Sequence, residues 1–203
     1  MKFAKIAALS GVLAPAVALI FLGAALSQAP WFSWTENCLS DLGGEPGGAP
    51  IWSSLGPPSI LFNAGLIISG LLGLALIIWM LREEVVGPKL TYFGFFILLL
   101  DTLALIAIGA LPETVGVIHF FVSAAFFTLA PISMLIIGAS LLRSDRRMGI
   151  FVVLLGITGV YAITIPLVEV SCAVNEALSV APFMLFVLAF GLRMLRSLRK
   201  RPA

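Results

Sequence analysis

The sequence predicts an all-α, polytopic integral membrane protein whose single domain, residues 1–203, forms a six-helix transmembrane bundle. The chain is 61% hydrophobic and only 11% charged, with a mean hydropathy of +1.14. A soluble protein of this length cannot bury so much apolar surface. The chain contains six apolar runs, each close to the length of about 20 residues that a spanning helix needs. Its basic residues lie only at the two termini and in alternate connections between these runs.

The six apolar runs define the predicted spans. They cover residues 3–26, 60–81, 90–111, 115–142, 149–168 and 178–195. Backbone groups in hydrocarbon must be hydrogen-bonded within the protein, and long uninterrupted apolar runs do this as helices rather than as barrel strands. An even number of spans places both termini on the same side of the membrane.

The basic residues predict which side that is. All twelve flank spans on one side: Lys2, Lys5, Arg82, Lys89, Arg143, Arg146, Arg147, Arg193, Arg196, Arg199, Lys200 and Arg201. Basic residues near span ends resist translocation, so we expect this side to be cytoplasmic and the protein to be a multi-pass protein of the cell membrane. A net charge of only +2, spread over separate turns, excludes the basic face that nucleic-acid binding requires.

The first span has a second interpretation as a signal peptide. Lys2 and Lys5 form a charged start, and Ser27-Gln28-Ala29 resembles a cleavage site. The apolar run is longer than the about 7–15 residues of a signal-peptide core, so an uncleaved anchor is the better prediction. Cleavage would leave the orientation of the other five spans unchanged.

The connection over residues 27–59, on the predicted outer side, is far longer than two neighbouring helices require. Its aromatic residues, Trp31, Phe32, Trp34 and Trp52, are of the kind that settle at the headgroup level. We therefore expect this loop to lie on the membrane surface. The sequence leaves open whether the loop is a functional lid or a segment that its tryptophans merely anchor.

The only two cysteines, Cys38 and Cys172, both fall in outer connections. A pair of cysteines on the oxidising side favours a disulfide, which would pin the long loop over the bundle. The alternative is two unrelated thiols. In the second span, Gly65, Ser69 and Gly73 share one face and predict close helix packing within the bundle, with dimerisation as the alternative.

Two ionisable residues lie within predicted spans, where such groups by default indicate function. Asp101 has no basic residue at its depth, so we expect it to be protonated and hydrogen-bonded unless water reaches it, either for helix packing or for a proton or ligand role. His119 has three interpretations: a structural partner of Glu113 or Glu169, a catalytic base or ligand contact, or a metal ligand. Ser123, one turn deeper than His119 on the same face, could bridge to Asp101 through water.

The motifs of familiar enzymes are missing from the sequence. We find no Gly-x-Ser-x-Gly element, P-loop or dinucleotide fingerprint, and with a single histidine a zinc site would need three carboxylates or cysteines beside His119. We therefore expect no metal and no cofactor. The sharpest catalytic hypothesis is that Ser40 and Asp41 meet His119 as a spatial triad. Asn63 fits a helix–helix contact better than a substrate contact.

Three short elements resemble one family. These are Asn37-Cys38-Leu39-Ser40-Asp41-Leu42-Gly43, Phe62-Asn63-Ala64-Gly65-Leu66, and Gly109-Ala110-Leu111-Pro112-Glu113 followed by Ile118-His119. They resemble an uncharacterised group of archaeal and bacterial six-span proteins, domain of unknown function 998, although Leu111 stands where Phe is usual. The resemblance implies the six-span fold without implying a reaction. The chain is also distantly similar to the eukaryotic Frag1/DRAM/Sfk1 group, some of which are linked to lipid-anchor remodelling, and this similarity points towards lipids.

The candidate residues converge on the outer ends of spans one to four. They are Ser40, Asp41, Asn63, Glu113 and His119. We expect an outward-facing polar pocket that binds a lipid headgroup or a small polar ligand through Asp41, Asn63, Glu113 and His119.

Three alternatives to a binding protein are a lipid hydrolase or transferase using His119, a proton-coupled transporter using Asp101, and a subunit of a larger membrane complex. The sequence leaves open whether the protein is an enzyme. The expected partners are membrane lipids, with a membrane-protein partner or a homo-oligomer as further candidates.

Overall fold

The computed structural model describes residues 2–44, 56–82, 89–164 and 171–199. Within these residues, six α-helices are long and apolar enough to cross a membrane: α1 (Lys2–Ser27), α2 (Pro57–Arg82), α3 (Lys89–Ala110), α4 (Val117–Leu141), α5 (Arg146–Thr164) and α6 (Cys172–Arg199). Two short 3-10 helices cover Leu39–Gly43, which we call the loop helix, and Glu113–Val115. The described residues contain no strand. The protein is therefore an all-helical, multi-pass membrane protein, as the sequence predicted.

The helix boundaries differ from the predicted spans where polar residues extend a helix. α6 begins at Cys172, six residues before the predicted start at 178, because its first turns carry Asn175 and Glu176, which hydropathy assigns to a loop. α2 begins at Pro57, whose fixed φ and missing N–H suit the first helical position. The predicted end of the fifth span at 168 lies outside the described residues.

The helices form a ring. Each helix packs against the next one in the chain, and α1 also packs against α6. Their alternating directions gather one set of helix ends around Cys38 and Cys172 and the other set around the basic residues. We call these the disulfide end and the basic end.

Glycines allow the closest crossings in this ring. A Cβ atom on Gly191 of α6 would lie 2.8 Å from the backbone nitrogen of Val12 of α1. One on Gly138 of α4 would lie 2.7 Å from the backbone nitrogen of Val153 of α5. Within lipid, such backbone-to-backbone contact holds helices together by close van der Waals packing.

The half of the bundle towards the basic end is filled by large apolar side chains. The rings of Phe186 and Phe190 lie 4.5 Å apart, and that of Phe95 lies 5.6 Å from Phe190. Leu98 and Ile137 beside this group are fully buried. At the basic end itself, Arg193 forms an ion pair with Asp145.

The small residues Gly65, Ser69 and Gly73 on α2 have two different structural roles. A Cβ atom on Gly65 would lie 2.5 Å from Cβ of Phe21, so Gly65 serves contact between α2 and α1, in line with the predicted packing within the bundle. Ser69 and Gly73 instead line an internal cavity. Small side chains at these two positions leave space rather than closing it.

Candidate functional site

A disulfide ties the long loop to the start of α6. Cys38 and Cys172 form the predicted bond, with their Cα atoms 4.7 Å apart. Next to it, the N–H of Ala173 donates to the carbonyl of Asn37 over 3.1 Å. The loop therefore reaches the site from a fixed point on α6.

The loop helix covers the disulfide end of the bundle and is held by the half-buried carboxylate of Glu176 and the buried amide of Asn63. The N–H of Leu39 donates to Oε2 of Glu176 over 2.5 Å, and the N–H of Ser40 donates to the same oxygen over 3.3 Å. On the other side, Nδ2 of Asn63 donates to the carbonyl of Gly43 over 2.8 Å. Leu42 of the loop helix is fully buried. This part of the predicted lid is thus packed onto the bundle.

The tryptophans of the same loop face outward. Trp31 and Trp34 are 44% and 46% exposed, and their rings stand edge-on to Phe32 between them. Aromatic rings at this exposure on a membrane protein suit the headgroup layer. Trp52, from the same predicted group, lies outside the described residues.

His119 has a fixed orientation and a defined tautomer. Its Nδ1 lies 2.7 Å from the carbonyl oxygen of Leu111. A carbonyl can only accept a hydrogen bond, so we assign the proton to Nδ1, and in the neutral ring Nε2 is then an acceptor. The predicted partner Glu113 is not the one found, because the turn after α3 brings the Leu111 carbonyl to the ring first. The other predicted partner, Glu169, lies outside the described residues.

Glu113 lies among other acidic groups. Its pKa is raised to about 7, mainly by burial and also by the negative charge of Asp41, a hydrogen bond with Asp41 and the charge of Glu176, while a hydrogen bond with Ser40 acts in the opposite direction. Oε2 of Glu113 is buried and has no hydrogen-bond partner among the described residues. Near neutral pH this carboxyl group is therefore only partly ionised.

These groups surround a cavity of about 330 Å³ at the disulfide end, which we call the polar pocket. Its lining is Ser40, Glu113, Gly116, His119, Phe120, Ser123 and Glu176. Most of the side chains that reach it carry hydroxyl, carboxylate or imidazole groups. The polar pocket can therefore bind a polar group through several hydrogen bonds at once.

A second cavity, of about 220 Å³, lies between α1, α2, α3, α4 and α6, and we call it the apolar chamber. Representative lining residues are Leu22, Leu66, Leu105, Phe127, Val180 and Val187. The two cavities share Ser40, Ser123 and Glu176. From Glu176 to Val187 the chamber extends roughly 16 Å along α6, at 1.5 Å per residue.

The apolar chamber also reaches the side of the bundle. Leu19 of α1 and Ala181 of α6 line it, and both are exposed on the surface that faces lipid. The chamber therefore communicates with the surrounding membrane between α1 and α6.

The structure brings together four of the predicted site residues and separates the others. Ser40, Glu113, His119 and Ser123 line the polar pocket. Asn63 does not line it, since its amide holds the loop helix.

Asp41 does not line the polar pocket either. Its Oδ2 accepts hydrogen bonds of 3.0 Å from Nδ2 of Asn37 and from the N–H of Cys38. Asp41 therefore shapes the start of the loop helix and acts on the pocket through its neighbour Glu113.

Glu176 is the pocket residue that the sequence did not suggest as a site. It follows Cys172 by four residues and so lies on the same face of α6. A disulfide that ties the loop to Cys172 places Glu176 under the loop helix. The four-residue spacing between Cys172 and Glu176 was therefore the sequence signal that could have identified Glu176.

Asp101 lies apart from both cavities. It is fully buried, and the backbone of Ala130 acts on its carboxyl group as a hydrogen-bond partner, although neither oxygen has a partner that meets full hydrogen-bond geometry among the described residues. The described part of the chain gives Asp101 no connection to His119 or Ser123.

The triad hypothesis is not met as stated. A Ser–His–Asp triad needs the carboxylate on Nδ1 of the histidine, and here the Leu111 carbonyl occupies that atom. Ser40 and His119 nevertheless line the same pocket.

Among the described residues, one trio of metal-ligand types comes together: Cys38, Cys172 and Glu176. Both sulfur atoms of this trio are used in the disulfide, so it provides no thiolate for a metal ion.

The fold and the disulfide-tied loop define a class: six-helix integral membrane proteins whose connecting loop covers one end of the bundle. The chain belongs to the family described as "Protein of unknown function (DUF998)", whose family model matches residues 12–193. No curated protein and no solved structure is significantly similar to the chain. The family membership agrees with the resemblance found in the sequence and names no activity.

Proposed function

We propose that the protein binds a membrane amphiphile at its disulfide end, with the apolar chain in the apolar chamber and the polar head in the polar pocket. The observation that carries this proposal is the meeting of the two cavities at Ser40, Ser123 and Glu176. A polar cavity joined to an apolar one has the polarity profile of a lipid molecule.

The wall of the apolar chamber favours a hydrocarbon occupant over water. An ordered buried water needs about 2–4 polar partners. Away from Ser40 and Ser123, where the chamber meets the polar pocket, the side-chain hydroxyls on the chamber wall are those of Ser69 and Thr102. The Thr102 hydroxyl already donates to the carbonyl of Leu98 over 2.9 Å. Left empty, a chamber of about 220 Å³ would cost on the order of 5 kcal/mol, at about 24 cal/mol per Å³.

The opening between α1 and α6 provides the route. Because Leu19 and Ala181 are exposed to lipid and also line the chamber, a chain can enter sideways without crossing water. The charge distribution of the sequence supports an outer position for the disulfide end. We therefore propose that the amphiphile comes from the outer leaflet.

A second candidate function, acyl transfer or hydrolysis, is favoured by one observation. In the neutral form of the ring, His119 presents Nε2 as a base in the pocket that Ser40 also lines. In that case Nε2 would take the proton from Ser40 or from a water as either attacks the carbonyl carbon of a lipid ester, with the Leu111 carbonyl orienting the ring. The ester C–O bond would then break, and the leaving alkoxide would take the proton from Nε2 and depart as the alcohol. A Ser40→Ala variant that binds amphiphile normally but no longer releases fatty acid from it would select this candidate.

The binding proposal is tested by lipid analysis and native mass spectrometry of purified protein. Gly73→Leu should fill the chamber and reduce co-purified amphiphile about tenfold, whereas the matched control Gly73→Ala should retain it. The control is tolerated because a Cβ atom at Gly73 would lie 3.6 Å from Cγ2 of Thr102, an ordinary contact. His119→Ala should change which lipid is retained.

Thermal unfolding of each variant establishes that it is folded before lipid is counted. Folded Gly73→Leu protein with undiminished lipid, together with an unchanged lipid profile in His119→Ala, would contradict the proposal.

A further inference from the structure

The hydrogen-bonding groups of the polar pocket are mainly acceptors. Glu113 and Glu176 contribute carboxylates, and His119 contributes Nε2 because its Nδ1–H is committed to the Leu111 carbonyl. Oε2 of Glu113 has no partner among the described residues although it is buried. A buried acceptor without a donor is costly, so the pocket favours a ligand that supplies donors.

The backbone N–H groups of Leu39 and Ser40 already donate to Oε2 of Glu176, but the donors within the pocket are too few for the remaining acceptors. The Ser40 hydroxyl lies within hydrogen-bonding reach of both Glu113 and Glu176, yet its single proton can serve one of them at a time. Ser123 adds one more hydroxyl. The connections at the disulfide end, residues 28–56, 111–116 and 165–171, contain no lysine or arginine.

This balance distinguishes among headgroups. A phosphate or carboxylate head would place a further negative charge beside Glu113, Glu176 and the neighbouring Asp41, with no cation to offset it. A bare metal ion would need ligand atoms drawn together, and the trio that meets this condition among the described residues contains the two disulfide sulfurs. A primary ammonium group carries a positive charge and three N–H donors, which match the acceptors in the pocket that lack a donor.

We infer that the polar pocket selects amphiphiles whose head carries a primary ammonium group, which pairs with the buried carboxylate oxygen of Glu113 in a pocket that Glu176 and Nε2 of His119 also line. This inference rests on the proposed function, since the chain of the same molecule would occupy the apolar chamber. It adds the chemistry of the head, which the apolar chamber cannot determine.

The test uses four single-chain probes with the same alkyl chain and different heads: a primary ammonium, a trimethylammonium, a hydroxyl and a phosphate monoester. Affinities are measured by isothermal titration calorimetry on the full chain in an uncharged detergent. We expect the primary ammonium to bind about tenfold more tightly than the trimethylammonium, which has the charge without N–H donors, and more tightly still than the phosphate.

Two variants assign the preference to the pocket. Glu113→Gln should reduce the affinity for the primary ammonium about tenfold while changing that for the hydroxyl probe little. Glu36→Gln is the matched control, because it removes the same charge from an exposed site near the same end and outside the pocket. It should leave the ranking of the four probes unchanged.

The outcomes separate the two claims. If all four probes bind equally well and Gly73→Leu abolishes their binding, the ammonium inference is overturned and the proposal of amphiphile binding stands. Tighter binding of the phosphate probe would overturn the inference as well. No binding of any probe to wild-type protein would contradict the proposed function itself. Because the four probes are compared on the wild-type protein, the ammonium inference can be tested even if a variant fails to fold.

Discussion

The basic half of the bundle is filled by protein side chains, whereas the disulfide half leaves a chamber between five of its helices. Phe95, Phe186 and Phe190 meet ring to ring in the first. In the second, Ser69 and Gly73 stand where a larger side chain would fill the space. The helices are similar in length and apolar character in both halves, so the difference lies in side-chain size at the interior positions.

The difference also extends to polar groups. At the basic end the charged groups are exposed and can pair, as Arg193 does with Asp145. At the disulfide end carboxylates crowd together under the loop helix, and Glu113 keeps a buried oxygen without a partner among the described residues. The first half is organised for stability and the second half retains unfilled space and unsatisfied acceptors, which is the pattern expected at a binding site.

Truncating one phenylalanine in each half gives the largest contrast. Phe186→Ala should lower the free energy of unfolding by about 3–5 kcal/mol, since a fully packed ring leaves a cavity. Phe127→Ala should cost markedly less, because the Phe127 ring already borders the apolar chamber. Unfolding in a denaturing detergent, followed by circular dichroism, measures both, and equal losses would contradict the contrast between the halves.

Reduction of the disulfide should act on one half only. The Cys38–Cys172 bond joins two residues that are 134 positions apart in the sequence. Breaking it should lower the free energy of unfolding by about 2–4 kcal/mol, because the unfolded chain is no longer constrained. Hydrogen exchange should rise in the loop helix and at the start of α6, with little change around Phe95 and Phe190. The double variant Cys38→Ser/Cys172→Ser provides the comparison without reductant. Increased exchange throughout the bundle would show that the halves are not independent.

The pH dependence of stability should give the smallest of these effects, and it concerns the disulfide half alone. The pKa of Glu113 is raised to about 7 in the folded protein, so between its unfolded value of 4.5 and about 7 the folded state binds more protons than the unfolded state. Stability from this group is therefore greatest at low pH and falls as pH rises through that window. The thermal midpoint should decline by a few degrees from about pH 5 to about pH 8.

Glu113→Gln should flatten this decline while retaining the groups that face Glu113, namely Asp41, Glu176 and the nearby His119. Glu36→Gln again serves as the exposed control. A primary-ammonium probe should bind more tightly as the pH rises through about 7, because it favours the ionised carboxylate. A decline in stability that persists unchanged in Glu113→Gln would remove Glu113 as its cause.

The sequence was sufficient for the helices and for part of the site. Six apolar runs translate directly into six helices, and Glu113, His119 and Ser123 meet because each lies within about two turns of the same helix ends. Glu176 was missed because hydropathy treats a polar first turn as loop, although its spacing from Cys172 links the two on one face of α6.

The apolar chamber could not be read from the sequence. It depends on the sizes of side chains contributed by five helices, and each helix taken alone shows only an apolar face. Likewise the tautomer of His119 depends on where the Leu111 carbonyl points, a backbone detail without a sequence signal. Which membrane face carries the disulfide end remains a prediction from the basic residues.

The central claim is that one molecule occupies both cavities, and photo-crosslinking tests it most directly. A primary-ammonium amphiphile with a diazirine at the far end of its chain is activated on wild-type and Gly73→Leu protein, and labelled peptides are mapped by mass spectrometry. We expect labelling deep in the chamber, at residues such as Leu105 and Val187, and its loss in Gly73→Leu. Labelling confined to lipid-facing residues such as Phe121 and Val160, and unaffected by Gly73→Leu, would contradict the claim.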